Sequence, residues 1–280
     1  MSSLFPANLN RAQKIINTLK PFTRQISTSS SRTAISKSAS HPLVVVVGST
    51  GQQGGSVIRH LGLSDQSYRV RGLSRDKTSE RSKALVKQGV EAYAVNIDAG
   101  KIEETRKAFE GADVVFAMTT VFASDEYEVG KTMVDAAKAA GVKTFIWSGL
   151  PSVTEASGGK FTQVTSFDQK YEVAKYASAN LPSAVDVQPP GFNDNWFTYH
   201  RPIKQSDGTF VASLPIPGSS PVLWLDTVRD FGAYVVAAIE LGEKARPKEI
   251  RISSDFLSFD EAAETISKGT FHCGINLSPE

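Results

Sequence analysis

Leu43, Val44, Val45, Val46 and Val47 form an unbroken apolar run after a long polar stretch. Such a short run, with four β-branched residues, predicts a strand covered on both faces; a strand with one wet face would alternate. Further strand patterns recur at residues 68–75, 91–95 (with 96–98 as its C-terminal end), 113–118 and 143–148. Between them lie helical patterns that start near Ser56, cover 101–110 up to Gly111, and run from 124 to 140, closed by Gly141. Ser124, Asp125 and Glu126 read as a helix start, a capping hydroxyl followed by acids facing the positive end of the helix dipole. This alternation predicts an α/β fold, a Rossmann-type doubly wound parallel sheet.

After Asn195 the rhythm breaks. Residues 208–212 read as a short strand, 214–218 as irregular, 221–226 as a strand leading into a helix over 228–241, and 249–252 as a strand. Ser258 and Glu261 form a capping box that opens a helix ending at Gly269. The pattern divides residues 43–280 into a larger lobe, 43–190, and a smaller C-terminal lobe, 191–280.

The first strand runs into Gly48-Ser49-Thr50-Gly51-Gln52-Gln53-Gly54-Gly55 and then into helix. A dinucleotide pyrophosphate approaches backbone closely at such a turn, so side chains are excluded, and the helix N-terminus offers N–H groups and a positive dipole end. The spacing Gly48-x-x-Gly51-x-x-Gly54 is the variant of short-chain dehydrogenase-like folds. An NAD site places an acid about 20 residues beyond the glycines to bond the ribose. Here that position holds Ser74 followed by Arg75, and a guanidinium pairs with the 2′-phosphate that distinguishes NADP. NADP(H) is therefore expected over NAD(H). Ligands sit beyond strand C-termini in such sheets. Contacts are expected at Gly48, Ser49, Thr50, Gly51, Gln52, Gln53 and Gly54, at Arg75, at Asn96 and Ile97, and at Thr119, with Ser148 on the same rim.

Composition and charge sharpen the picture. A hydrophobic fraction of 40% and a charged fraction of 21% exclude a mainly disordered chain. No apolar run approaches the roughly 20 residues of a membrane helix. The net charge of +2 conceals a split, because residues 1–42 carry six cations and no acid while the remainder is −4. A nucleic-acid role for the body gains no support. Residues 1–42 also hold nine serines, and Leu9, Ala12, Ile16 and Leu19 form an apolar helical stripe beside Arg11 and Lys14. That composition predicts a disordered mitochondrial transit peptide cleaved near Ile26, with the matrix as destination; the alternative is a tail without an address on a cytoplasmic or nuclear protein. The single cysteine, Cys273, excludes an internal disulfide, and His41, His60, His200 and His272 are scattered without ligand spacing, so no metal site is expected.

Residues 47–57, beginning Val47-Gly48-Ser49-Thr50-Gly51, resemble the opening of the NmrA-like family of atypical short-chain dehydrogenase folds. Gly72-Leu73-Ser74-Arg75 is similar to its phosphate-binding strand end, and Trp147-Ser148-Gly149-Leu150 to its fifth-strand end. Phe167-Asp168-Gln169-Lys170 resembles its FDxK element, and Pro190-Gly191-Phe192-Asn193-Asp194-Asn195-Trp196 its PGFFxEN loop. The match spans about residues 43–265. The resemblance implies NADP binding, adds Lys170, Phe192 and Asn195 to the cofactor contacts, and implies either a redox-sensing regulator with a protein partner or a reductase of quinone-like compounds. Family members usually continue with more helix, so it also implies a substrate lobe shorter than usual.

Catalysis is less plainly written. Active short-chain dehydrogenases use Tyr-x-x-x-Lys, in which the lysine lowers the tyrosine pKa. With Lys170 as that lysine, the tyrosine position holds Ser166, which ionises far too weakly. Tyr171 and Lys175 offer a second register about 100° around the helix. Phe167 and Asp168 favour Lys170, and both Lys170 and Tyr171 stand as weak catalytic candidates. Phe192, Trp196, Phe197 and Trp224 are candidate walls of a substrate pocket, with core packing equally open for Trp224. A nucleotide sensor or regulator is the first expectation; the alternative is an NAD(P)H-dependent oxidoreductase acting on a quinone-like or other small carbonyl acceptor.

Overall fold

The structure is a computed structural model that describes residues 35–120, 125–241, 248–269 and, for their backbone, 275–279. In chain order the elements are β1 Leu43–Val47, α1 Gln52–Leu63, β2 Arg69–Ser74, α2 Glu80–Lys87, β3 Glu91–Ala94, α3 Ile102–Phe109, β4 Val114–Ala117, α4 Glu126–Ala139, β5 Thr144–Ser148, α5 Val153–Ala156, α6 Thr165–Asn180 and β6 Ala184–Gln188. Then follow β7 Gly191–Phe192, a 3-10 turn Asn193–Phe197, β8 Ile203–Lys204, β9 Phe210–Leu214, β10 Pro221–Leu225, a π-helical turn Thr227–Phe231, α7 Gly232–Glu240, β11 Glu249–Arg251, β12 Asp255–Ser258, α8 Phe259–Gly269 and β13 Ile275–Pro279.

Seven strands form one sheet in the order β11-β6-β5-β4-β1-β2-β3, and every pairing is parallel. All five residues of β1 are buried. Val44 and Val46 join one core with Phe116, Ile146, Val185 and Val187, covered by α1 and α7. Val45 and Val47 join a second core with Val115, Phe145 and Trp147, covered by α3, α4 and α6. Two covered faces are the physical reason for the uniformly apolar run. Strand order reverses between β1 and β4, and the glycine-rich turn leaves β1 at that switch point, where ligands of open parallel sheets sit.

The smaller lobe carries two three-stranded sheets, β12-β10-β7 and β13-β9-β8. Its core gathers Trp196, Trp224, Phe259, Ala212 and Leu214. The capping box is present as read, with Glu261 Oε2 accepting from Ser258 N–H at 2.7 Å and Ser258 Oγ accepting from Glu261 N–H at 3.1 Å.

Four expectations change. The fold takes in residues before 43: Ile35 bridges Tyr68, Ser36 N–H donates to the Tyr68 carbonyl at 2.7 Å, and Ile35 packs on the first core. Residues 1–34 lie outside the described residues, as do Ser124, His272 and Cys273. The helix expected over 228–241 begins instead as the π-helical turn. Ser56 Oγ accepts from Gly232 N–H and donates to the Val228 carbonyl, both at 2.9 Å, and so stands inside what would be an i→i−4 bond. At α4, the Asp125 cap makes no side-chain bond, and Glu126 does not face solvent at the dipole end; it is 1% exposed inside the protein. Trp196 is a core residue rather than a pocket wall, its ring centroid 6.0 Å from that of Trp224, which takes the core alternative left open for it, and Phe197 is exposed.

Candidate dinucleotide site

The rim is built by the C-terminal ends of β1, β2, β4 and β5. Gly48 turns the chain with φ +66, and Gly51 N–H closes the turn on the Gly48 carbonyl at 2.9 Å. A Cβ on Gly54 would lie 2.3 Å from the Gly48 carbonyl oxygen, so this glycine lets α1 approach the turn. Gly51 is exposed, and an added Cβ there would meet only the Gly48 oxygen, at 3.2 Å. No side chain caps α1, and its first turn holds no acid, which leaves its first-turn N–H groups without a side-chain acceptor. An open, side-chain-free cradle ending on uncapped N–H groups fits a pyrophosphate. Ser49 does not offer its side chain to it, because its Oγ donates to the Leu73 carbonyl at 3.0 Å and is buried. Gln53 reaches across the rim, where its Oε1 accepts from Ser148 Oγ at 2.7 Å.

Arg75 follows β2 and is exposed, with no ion-pair partner among the described residues. Neighbouring Asp76 does not neutralise it. Its Oδ1 accepts from Thr78 Oγ1 at 2.6 Å and Thr78 N–H at 2.7 Å, which hold the carboxyl below its ordinary pKa. A second guanidinium stands nearby. Arg81, in the first turn of α2, donates from Nη1 to the Thr50 carbonyl of the glycine-rich turn at 3.2 Å. Asn96 is exposed just past β3, while Ile97 is half-buried against the second core. Phe192 packs against the first core and pairs with Leu225, and Asn195 uses its carbonyl to accept from Thr198 and His200 N–H groups.

The two lysine registers separate cleanly. Lys170 points inward and is 4% exposed, its carbonyl accepting from Trp147 Nε1 at 3.0 Å. Its Nζ meets Thr119 and Glu126. Tyr171 turns outward and donates its hydroxyl to Glu155 Oε2 at 2.8 Å, a bond that raises the phenol pKa and so works against ionisation. Lys175 pairs with Glu172 at 3.1 Å on the same outer surface. Asp168 of the FDxK element has a different task. Its carboxylate accepts from Ser152 Oγ at 2.8 Å, Thr154 N–H at 3.1 Å and Thr154 Oγ1 at 2.6 Å, and thereby ties the loop after β5 to α6.

Asp186 is a buried carboxyl that nothing in the sequence singled out. Its Oδ1 has no hydrogen-bond partner and occupies the place where a Gly149 side chain would be, while Oδ2 accepts from Gln188 Nε2 at 2.6 Å. Burial pushes its pKa from 3.8 to about 7. The folded state thus keeps a proton that the unfolded chain releases, and stability falls as pH rises from about 4 to about 7. Asp186→Asn should flatten this slope and raise the melting temperature near pH 8 by roughly 3–6 °C, a gain of about 1–2 kcal/mol for a domain of this size. Melting curves from about pH 5 to pH 8 check it; parallel curves for the two proteins would show that Asp186 is ionised throughout.

Glu126, Arg81 and the Gln53–Ser148 bond were missed by sequence reasoning. Arg81 left a faint signal, a cation in a first turn where acids are favoured. Glu126 left a misleading one, since its position suits a dipole-facing acid. Among the described residues no group of three His, Cys, Asp or Glu side chains can hold a metal, and no helix is long and apolar enough to cross a membrane.

Several known proteins are similar to this chain. An NmrA-like family domain-containing protein of Dictyostelium discoideum is 32% identical over 236 residues, covering 81% of this chain and 77% of that protein. An NmrA-like family domain-containing oxidoreductase of Malbranchea aurantiaca is 30% identical over 252 residues, covering 81% and 73%. The structures of NmrA, a negative transcriptional regulator, in complex with NADP and with NAD each superpose with a TM-score of 0.75 at 25% identity, over 86% of this chain and 74% of NmrA. The NmrA-like family model matches residues 40–273, and with the glycine-rich cradle, the Arg75 strand end and the inward Lys170 in place, the chain belongs to the NmrA-like family.

Proposed function

We propose that this protein binds NADP(H) in preference to NAD(H) and works as a nucleotide sensor, a regulator whose contact with a partner protein responds to the bound dinucleotide. The observation that carries this reading is the inner face of α6. At the rim end it presents Lys170 with Ser166 at the tyrosine position, while Tyr171 is bonded to Glu155 on the outside and Tyr176, further along the helix, to Asp135. A rim that can hold a dinucleotide but supplies no side-chain hydroxyl acid suits occupancy sensing better than carbonyl reduction. NmrA, a negative transcriptional regulator, is similar to this chain, which supports the same reading.

NADP preference follows from Arg75, free at the end of β2, with Arg81 beside the turn. Arg75→Asp should remove it, because a charge-assisted bond to the 2′-phosphate becomes a repulsion. Such a bond is worth about 1.5–3 kcal/mol, roughly one to two decades in affinity. Calorimetric titration with NADP and NAD checks this; an unchanged ratio would remove Arg75 from the phosphate site.

A second reading is favoured by the name of the Malbranchea aurantiaca relative, an oxidoreductase. In it the cofactor's hydride passes to a quinone-like or other small carbonyl acceptor that takes its proton from solvent. Sustained NADPH oxidation against a quinone panel would establish turnover, and its absence beside measurable binding would support the sensor. Matrix import belongs to the same proposal. The acid-free segment 1–42 should be cut near Ile26, and N-terminal sequencing of the native protein from organelle fractions tests it; an intact Met1 in the cytosol would reject import.

A further inference from the structure

Lys170 reaches the rim with its charge already matched. Its Nζ lies 2.7 Å from Glu126 Oε1, 2.6 Å from Thr119 Oγ1 and 3.1 Å from the Thr119 carbonyl oxygen. Three acceptors match the three hydrogens of an ammonium group. Thr119 Oγ1 donates in turn to Glu126 Oε1 at 2.9 Å, which closes the loop of bonds. All three residues are at least 95% buried. Glu126, from α4, is the charged group that faces Lys170. The end of β4 contributes only the neutral Thr119, and β5 contributes the Trp147 ring, its centroid 5.7 Å from Nζ. Glu126 Oε2 is buried without a partner, so the carboxylate is held from one side only, by the two residues that meet at the rim.

This arrangement answers a physical difficulty. An ammonium group out of water tends to lose its proton, and burial does draw the Lys170 pKa down while Glu126 opposes it. A lysine that lost its charge would offer an anionic dinucleotide no electrostatic attraction.

We infer that Glu126 is the positioning residue of the dinucleotide site, holding Lys170 as an ammonium ion and, through Thr119, fixing its aim at the rim. The inference rests on the reading that a nicotinamide dinucleotide occupies that rim. Glu126 touches no cofactor in this account; it acts through Lys170. With glutamine at 126 the Thr119 acceptors remain, but the counter-ion is gone, and the charge on Lys170 then follows pH.

The test is calorimetric binding of NADP and NADPH to the full chain from about pH 5.5 to about pH 9.5. Wild type is compared with Glu126→Gln, Glu126→Asp and the double variant Glu126→Gln, Lys170→Met. Dividing each affinity by the wild-type value at the same pH cancels titration of the cofactor's own 2′-phosphate. For Glu126→Gln this ratio should fall by about tenfold or more from the acid to the alkaline end, since each unit of pH above a pKa depletes the charged form tenfold. Glu126→Asp, which keeps the counter-ion, should give a flat ratio. The double variant, with no charge to lose, should bind more weakly by a factor that does not change with pH. A flat ratio for Glu126→Gln would overturn the inference while leaving dinucleotide binding in place; wild type that binds neither nucleotide would overturn both. Should Glu126→Gln not fold, the wild-type protein still decides through carbon-13 NMR of labelled lysine side chains, with the double variant assigning Lys170. Its resonance should report an ammonium ion at neutral pH, and a neutral amine near pH 7 would overturn the inference.

Discussion

Gly54→Ala is expected to destabilise the fold by about 4 kcal/mol or more, enough to leave much of the protein unfolded at physiological temperature. The added Cβ would lie 2.3 Å from the Gly48 carbonyl oxygen, 2.7 Å from the Gly48 carbonyl carbon and 3.0 Å from the Ser49 Cα. All three are backbone atoms at the exit of β1, an interior strand of the seven-stranded sheet. No rotamer relieves such a contact; α1 must move away from β1, and its buried Val57, Ile58 and Leu61 move with it. Gly51→Ala is the informative contrast. Its Cβ would meet one atom at 3.2 Å, so melting should change by only about 1–3 °C, within the range of ordinary surface substitutions. Nucleotide affinity should nevertheless fall at least about tenfold, because the methyl occupies the pyrophosphate's approach. Thermal melts and calorimetry on the two variants separate the glycine that shapes the fold from the glycine that admits the ligand. Equal losses of stability would refute the division.

Lys170→Met should cost about 3–5 kcal/mol, since removing one member of a buried pair strands the other. Glu126 would stay buried with its Oε2 already unpartnered and only the Thr119 hydroxyl as donor to Oε1. At roughly 2–4 °C per kcal/mol, the melting temperature should drop by about 6–20 °C. Adding Glu126→Gln removes the stranded charge and should recover most of the loss, because a neutral pair in the same space avoids the desolvation cost. A double-mutant cycle measures the coupling directly. If the two single effects simply add, Lys170 and Glu126 are not a unit, and the site must be described without their pairing.

Much of the candidate site's geometry was legible because it is local. Gly48, Gly51 and Gly54 act on one another's backbone within a single turn, and Arg75 follows directly on its strand, so spacing along the chain is spacing in space. Helix geometry showed that only one of Lys170 and Tyr171 can face the cleft, and the flanking Phe167 and Asp168 favoured Lys170. Glu126 was not legible. A first-turn acid suits the helix dipole equally well whether it faces water or the interior, and the lysine that claims it stands on another helix. Trp196 read as a pocket wall, and Trp224 equally as pocket or core, because an apolar ring serves either. The choice came from Phe259 and His200, whose rings pack edge-on against Trp224 and close that space.

What the sequence determined by itself was the kind of each element and the side from which a ligand must come. Five apolar residues in a row demand cover on both faces, alternating strands and helices supply it, and a parallel sheet gathers every strand's C-terminal end on one rim. Even the Ser258–Glu261 box, a matter of three residues, could be read directly. Tertiary structure alone decided the pairings between distant segments. Ser56 enters the backbone of a helix 176 residues away, Lys170 finds Thr119 across 51 residues, and Ile35 extends the domain by packing beside Tyr68. The physical reason is that propensity and periodicity act over one or two turns of chain, whereas a buried polar atom must find its partner wherever packing has excluded water.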